Sequence, residues 1–297
     1  MEEAIDQYRT YLQEKGTGEI SYSETTRRLK LFFPDLTLPI SRVTSERAKS
    51  YYEAFRQRRK KNGDPISVDY HRCTLINARS FLSWSVEQGW LQVNPLASVK
   101  GVGRRNAGKQ QHTGDETRKL YALCLARAES GDQAALGVLM ALLMALRSGD
   151  ITRRVVRDVD LDATVLRVYD GKTLKSNRPR KIPEVLQPML RKLVDGRQPF
   201  EPLFRTPYTE TGHHTRRWLE EAMVRFCKAA DVPYVCPHAL KGTAATLLAQ
   251  TGELADRIAD HLSHEEASTT AKHYVARGAI EQAQVTRAFA VIAGGRR

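Results

Sequence analysis

The last 60 residues of the chain carry His238-Ala-Leu-Lys241-Gly-Thr, then His264, then Tyr274 within Ser-Thr-Thr-Ala-Lys-His-Tyr. A tyrosine hydroxyl downstream of two histidines and a cation suits attack on a phosphodiester. The phenol oxygen is the nucleophile, an imidazole handles its proton, and fixed positive charge offsets the negative charge that builds on the phosphate oxygens. Such a set can break DNA without a metal ion.

The rest of the composition agrees with a polyanionic partner. In 297 residues, 47 Lys and Arg face 34 Asp and Glu, a formal charge of +13, which favours DNA, RNA or an anionic membrane surface, with nucleic acid first. A hydrophobic fraction of 41% is enough for one large or two ordinary cores. No run of 18 or more apolar residues occurs, and Met-Glu-Glu-Ala-Ile-Asp is not a secretory leader. The expected location is the cytoplasm, associated with the nucleoid, with no membrane partner and no small-molecule substrate. Cys73, Cys124, Cys227 and Cys236 show no C-x-x-C spacing and read as reduced core residues. His213-His214 and His261/His264 lack a carboxylate or thiolate at matching spacing, so neither a metal nor any other cofactor is expected.

Positioning such residues needs a scaffold, and its pattern is mainly helical. Lys100 to His112 holds three glycines, four cations and almost nothing apolar, and reads as a linker. The expected division is therefore a helical domain over 1–100, a basic linker over 101–112 and a second domain over 113–297. Charge lies on both sides, with 19 Lys and Arg against 12 Asp and Glu in residues 1–112, so both parts are expected to touch the polyanion.

Four or five helices are expected before the linker. Their starts are marked by Ser21 with Glu24 as a capping box, by Thr44 or Ser45, and by Ser67. A helix over about 68–88 places Leu75, Ala78, Phe81, Leu82 and Val86 on one stripe, stopped by Gly89. Another over about 46–61 ends in Arg56, Arg58, Arg59, Lys60 and Lys61, either a solvated helix end or a phosphate-contacting surface. Beyond the linker, a capping box of Thr113 and Glu116 opens a helix through Ala128, and the apolar run Ala134 to Leu146 predicts a buried helix ending at Arg147. Val165 to Tyr169 and Arg180 to Pro183 read as strands around a hairpin loop from Asp170 to Pro179. Helices are expected again at roughly 184–194, 212–230, 238–251, 253–262 and 279–292.

On these residues the second half resembles the tyrosine recombinase and phage integrase family, in a simpler, Xer-like, two-domain arrangement. Ala145-Leu146-Arg147-Ser148-Gly149-Asp150-Ile151 is similar to the family's first box, and His238-Ala-Leu240-Lys241 with Thr243, Thr246, Leu247 and Gly252 to its second. Leu262-Ser263-His264 stands for Leu-Gly-His, and Ser268-Thr269-Thr270 leads to Tyr274. Gly89-Trp90-Leu91 and Asn94-Pro95-Leu96 look like the end of the family's core-binding domain. The resemblance implies a mainly α protein, with a SAM-like core-binding domain of four or five helices and a mixed α/β catalytic domain carrying a small antiparallel sheet. Double-stranded DNA is the implied partner, clamped between the two domains, and a tetramer on paired sites is the implied assembly, with the helix 279–292 docking into a neighbouring protomer or packing in cis.

The resemblance also implies roles. Arg147 would grip two phosphate oxygens, Lys172 would protonate the departing 5′-oxygen, His238 would handle the tyrosine proton, His264 would bond the phosphate and Tyr274 would attack. Taken singly, a helix-terminal arginine is a cap, a buried histidine scaffold and a tyrosine packing; their joint order carries the functional reading. Lys175 shares the loop of Lys172 and, with Arg56, Arg58, Arg59, Lys60, Lys61, Arg104 and Arg105, is a candidate DNA contact. His261 and His273 read as structural.

Lys241 departs from the family's His-x-Leu-Arg. Lysine keeps the charge but offers a point donor where arginine offers a planar fork. Losing one charge-assisted hydrogen bond, about 1.5 to 3 kcal/mol, predicts slowing of roughly ten- to a few-hundredfold. A compensated enzyme, a DNA-binding paralogue that acts as regulator or accessory factor, and a residue placed to trap an intermediate all fit Lys241. A type IB topoisomerase shares the chemistry.

Overall fold

The computed structural model describes residues 1–104, 110–169 and 179–250, together with 257, 258 and 261. The chain folds into two compact units, Met1–Asn106 and Ala107–Arg297.

In the first unit the helices are α1 (Glu2–Glu14), α2 (Glu19–Phe32), α3 (Ser45–Arg56) and α4 (Val68–Glu87). Thr44 caps α3 by accepting the Arg47 N–H, and Ser67 caps α4 by accepting that of Tyr70, each satisfying a donor that the first helical turn leaves over. Gly89 takes φ +75° just beyond α4, a left-handed stop that side chains resist. Ile5, Leu29, Phe32, Phe81, Leu82 and Leu96 are fully or almost fully buried in the shared core. Aromatic rings extend it: Tyr8 lies 5.1 Å from Trp84 and 5.4 Å from Phe81.

Two expectations are corrected here. The helix α2 starts at Glu19 with Gly18 as its N-cap, so Ser21 is inside it. The Glu24 carboxylate accepts from Arg27 and Arg28 at 2.7 Å, one turn ahead, and makes no capping box. The helix α3 ends at Arg56, five residues short of Lys61. Asn62-Gly63-Asp64 folds the chain back: the Lys60 N–H donates to the Asp64 carbonyl at 2.7 Å, that of Ile66 to Arg58 at 3.2 Å, and Gly63 has φ +85°. Arg58, Arg59, Lys60 and Lys61 are therefore exposed on a tight turn, while Arg56 is half-buried at the helix end.

The second unit is built on α6 (Gln133–Leu143), buried over nearly its whole surface, with α5 (Gly114–Glu129), α9 (Arg217–Ala229) and α10 (Pro237–Gln250) packed against it. The second unit also holds the short helices α7 (Ser148–Thr152) and α8 (Gln187–Val194). The expected capping box of Thr113 and Glu116 opens α5. Between α7 and α8 lies a small antiparallel sheet in the order β1 (Val159–Asp160), β2 (Val165–Leu166), β3 (Arg180–Lys181). Leu166 pairs with Val159 on one side and Arg180 on the other. Leu166 and Ile182 are fully buried on the core side of this sheet.

Three boundaries differ from expectation. The helix α6 stops at Leu143 because Ala145 turns left-handed, with φ +49°. The strand β1 precedes the expected pair. The helix α9 begins at Arg217, not 212, because the preceding segment spends its backbone groups elsewhere: Arg205 bridges His213, and the Thr206 N–H donates to the Gly212 carbonyl at 2.9 Å. The expected helix 279–292, most of the helix 253–262 and the hairpin loop 170–178 lie outside the described residues. Cys124 and Cys227 are buried and Cys73 and Cys236 half-buried, all as free thiols; burial pushes the Cys124 thiol up to about 12. Among the described residues no helix is long and apolar enough to cross a membrane.

At Gly137, α6 lies directly against α9. A Cβ placed there would lie 3.0 Å from Leu219 and 3.2 Å from Trp218. Gly137→Val is expected to destabilise the protein by about 1–3 kcal/mol, read as a lowered urea midpoint with an unchanged slope; an unchanged midpoint would refute this packing.

Candidate active site

The break after α6 sets the first side chain. Ala145 is buried against Ala245, Ala249 and Ile258, and its left-handed backbone, a strain of about 1–2 kcal/mol, turns the chain so that Arg147 becomes the N-cap of α7. Gly or Ala at this position is explained by that geometry, since a larger side chain would meet both the backbone strain and the packed alanines. Asp150 is almost fully buried and its carboxylate accepts the Arg147 N–H at 3.2 Å. The same carboxylate lies 3.8 Å from the Arg147 guanidinium and 3.9 Å from that of Arg153. Asp150 thus holds Arg147 by backbone and by charge, while about 29% of the Arg147 side chain stays open to solvent.

A second arginine close in sequence has a different task. Arg154 is 2% exposed, pairs with Asp158 at 3.3 Å, and donates to the carbonyls of Arg167 and Tyr169, each at 3.1 Å. It ties the end of α7 to the sheet, and the buried charge is held by one carboxylate and two carbonyl dipoles.

The helix α10 brings up the other side. His238 lies in its first turn, half-buried, and Lys241 one turn later, so the two share a face. Lys241 is only 1% exposed. Burial, then the guanidinium groups of Arg147 and Arg180, push its ammonium down to about 7, and Asp150 opposes them. Arg180 comes from β3, and its Nη1 donates to the His261 carbonyl at 2.8 Å. The His261 imidazole is lowered by burial and by the charges of Arg180 and Lys241. The charges of Arg147 and Arg180 therefore both bear on the nearly dry Lys241 ammonium, with Asp150 as counter-charge. That excess of fixed positive charge suits an oxyanion, and a phosphate above all.

Matched against the model of the phage integrase family, described by that name, the chain aligns over residues 110–279. The chain belongs to the phage integrase family. It is 29% identical over 208 residues to the tyrosine recombinase XerC of Proteus mirabilis, covering 65% of this chain and 63%, a little under two thirds, of that relative. The Tn1549 transposon integrase, solved in complex with circular intermediate DNA, matches with a TM-score of 0.71 and 16% identity over 96% of this chain and 98% of that one. The λ integrase, solved as a dimer on a COC′ core site, matches with a TM-score of 0.66 and 15% identity over 91% and 94%. This integrase fold is the expected one: mainly helical, with a small antiparallel sheet.

Of the residues expected at the site, the integrase fold brings Arg147, His238 and Lys241 to α7 and α10. Lys172, Lys175, Arg105, His264, His273 and Tyr274 lie outside the described residues. Arg104 is exposed in the first unit, as are Arg58, Arg59, Lys60 and Lys61. Arg180 was read only as part of a strand. It stands 33 positions after Arg147 and 61 before Lys241, and nothing in its neighbours marks it as a site residue; only the pairing of β3 with β2 brings it in. His213 and His214 serve the scaffold: the His213 Nδ1 meets the Thr152 carbonyl at 2.9 Å, and the His214 ring stacks on Trp218 at 4.1 Å. Among the described residues no group of three or more His, Cys, Asp or Glu is placed to hold a metal.

The depressed Lys241 ammonium is a stability statement. Lysine titrates near 10.5 when unfolded and near 7 here, so the folded state carries the full penalty below pH 7. The penalty fades as pH rises from 7 towards 10.5, at about 1.4 kcal/mol per unit of difference. Lys241→Met is expected to raise the unfolding midpoint of the DNA-free protein at pH 6.5, with a smaller gain at pH 9; a gain equal at both values would show that the ammonium is not under strain.

Proposed function

We propose that this chain is a site-specific DNA recombinase that cuts and rejoins double-stranded DNA through a 3′-phosphotyrosine. The observation that carries the reading is the buried cationic cluster of Arg147 and Lys241 around Asp150, in a member of the phage integrase family. In the reaction the Tyr274 oxygen attacks the scissile phosphorus, and its proton passes to His238. The bond from phosphorus to the 5′-oxygen breaks, and that oxygen takes a proton from Lys172. Arg147, Lys241 and His264 bond the non-bridging oxygens, whose charge grows in the transition state. Because the phosphate stays covalently attached, the reverse attack by a 5′-hydroxyl restores the backbone without an external energy source.

Several features support DNA as the substrate. The net charge is +13, and Arg58, Arg59, Lys60 and Lys61 project from the turn after α3, where they would meet a phosphate backbone together with Arg56, Arg104, Arg105 and Lys175. The integrases of Tn1549 and λ were solved on DNA. The protein acts in the cytoplasm at the nucleoid, as a tetramer on two paired sites, with the segment 279–292 of each protomer packed on its neighbour.

A duplex carrying a nick beside the cleavage point traps the covalent intermediate, because the short leaving strand diffuses away. Wild-type protein is expected to accumulate an adduct on denaturing gels. Tyr274→Phe should abolish it while binding DNA as before, and Lys241→Arg should retain it. Absence of adduct with both Lys241 and Lys241→Arg would refute the reading. Truncation after Gly278 is expected to spare binding to a single site and to lose pairing of two sites in native gels; unimpaired pairing would place the terminal segment in cis.

A further inference from the structure

We propose that Arg180 is a second arginine fork on the scissile phosphate, supplying from the sheet the planar donor pair that Lys241 does not have. The inference rests on the recombinase reading and adds a catalytic residue to it.

Three observations converge. First, Arg180 is rigidly presented. Its backbone is paired with Leu166 in the sheet, and Leu166 is fully buried. Its Nη1 is fixed on the His261 carbonyl at 2.8 Å. A guanidinium carries five N–H groups in one plane, so fixing one of them orients the whole plane.

Second, Arg180 and Arg147 bring charge to Lys241 from different elements. Arg180 stands on β3 and Arg147 at the start of α7, and the charge of each bears on the buried ammonium of α10. Like charges beside a buried ammonium repel it unless an anion joins them. Asp150 answers part of this charge, and it is already engaged by the Arg147 N–H and two guanidinium groups. A phosphate held jointly by Arg147, Lys241 and Arg180 converts the repulsion to attraction.

Third, there is room. Arg180 lines an open cleft of about 410 Å³ together with Leu143, Met144 and His261. Leu143 ends α6 and Met144 follows it, four and three residues before Arg147, so the cleft opens beside the same break in the chain that positions the first arginine. An arginine at 241 would carry its own fork into this point. Lysine there and a fork arriving from β3 are two parts of one arrangement.

The test is the rate of adduct formation on nicked DNA at saturating protein, with either an ordinary scissile phosphate or a methylphosphonate, in which a methyl group replaces one charged oxygen. On ordinary DNA, Arg180→Ala is expected to slow cleavage tenfold or more with affinity within threefold, and Arg180→Lys to lose less. On the methylphosphonate the need for a fork falls, so wild type and Arg180→Ala should converge to within threefold. In the Lys241→Arg background the loss from Arg180→Ala should shrink, because two forks then serve the same oxygens. Cleavage by Arg180→Ala within threefold of wild type on ordinary DNA, or equal slowing on both substrates, would overturn the proposal. If Arg180→Ala does not fold, Arg180→Lys on the two substrates decides in the same way. If no variant forms an adduct, the recombinase reading fails, and the phosphate contact is judged by binding alone. Arg180→Ala must then flatten the salt dependence of DNA affinity by about one phosphate contact, and an unchanged slope overturns it.

Discussion

The second unit is organised around a lysine ammonium that has almost no water. Lys241 is 1% exposed, with Arg147 and Arg180 close enough to depress it and Asp150 close enough to oppose them. An isolated charge in such a place is strongly unfavourable. On the proposed recombinase reading an anion completes the cluster, and folding stability is surrendered for a pocket organised for phosphate. Charges fixed in advance need no rearrangement as the reaction proceeds, and their attraction is stronger in a dry pocket than in water.

Everything around the cluster serves to hold mutually repelling groups still. Ala145 accepts a strained backbone so that α6 can end where α7 begins, and its methyl group is buried against α10. Asp150 holds Arg147 by two routes. Arg154 and Asp158, almost fully buried, bind α7 to the strand that follows β1. The apolar α6 lies behind them all and is packed closely enough at Gly137 that a side chain there would press on Leu219 and Trp218 of α9. The basic turn after α3 is built differently: short backbone bonds around Asn62-Gly63-Asp64 fold it, and its cations stay in water. On the proposed reading, exposed charges of that kind would steer and position a nucleic acid, whereas those of the cluster would act on a single phosphate.

Much of this was legible in the linear chain, for reasons that are local. The capping residues Thr44, Ser67 and Thr113 mark helix starts because each satisfies a donor within three residues of itself. Gly89 marks a stop because only its own φ matters. The two boxes around Arg147 and Lys241 were readable because each is a single turn of chain with its chemistry at fixed spacing. Where local signals competed, the reading went astray. Ser21 and Glu24 have capping-box spacing, but Arg27 and Arg28 lie one turn further on and took the carboxylate. The run from Arg56 to Lys61 suits a helix, but Asn62-Gly63-Asp64 makes a tighter turn and ended it early.

From its sequence alone this protein could be seen to be a basic, mainly helical chain of two parts, carrying Arg147, His238, Lys241 and Tyr274 in the order that phosphodiester attack by tyrosine requires. Charge, hydrophobic period and short motifs are properties of neighbouring residues, so they survive in one dimension. Tertiary structure decided that Lys241 is dry and that the charge of Asp150 bears on it. It also decided that Arg180, in a two-residue strand with no motif around it, belongs to the same cluster. Burial and charge proximity arise only when α7, β3 and α10 converge, and these are the terms that set a protonation state and the reach of a guanidinium.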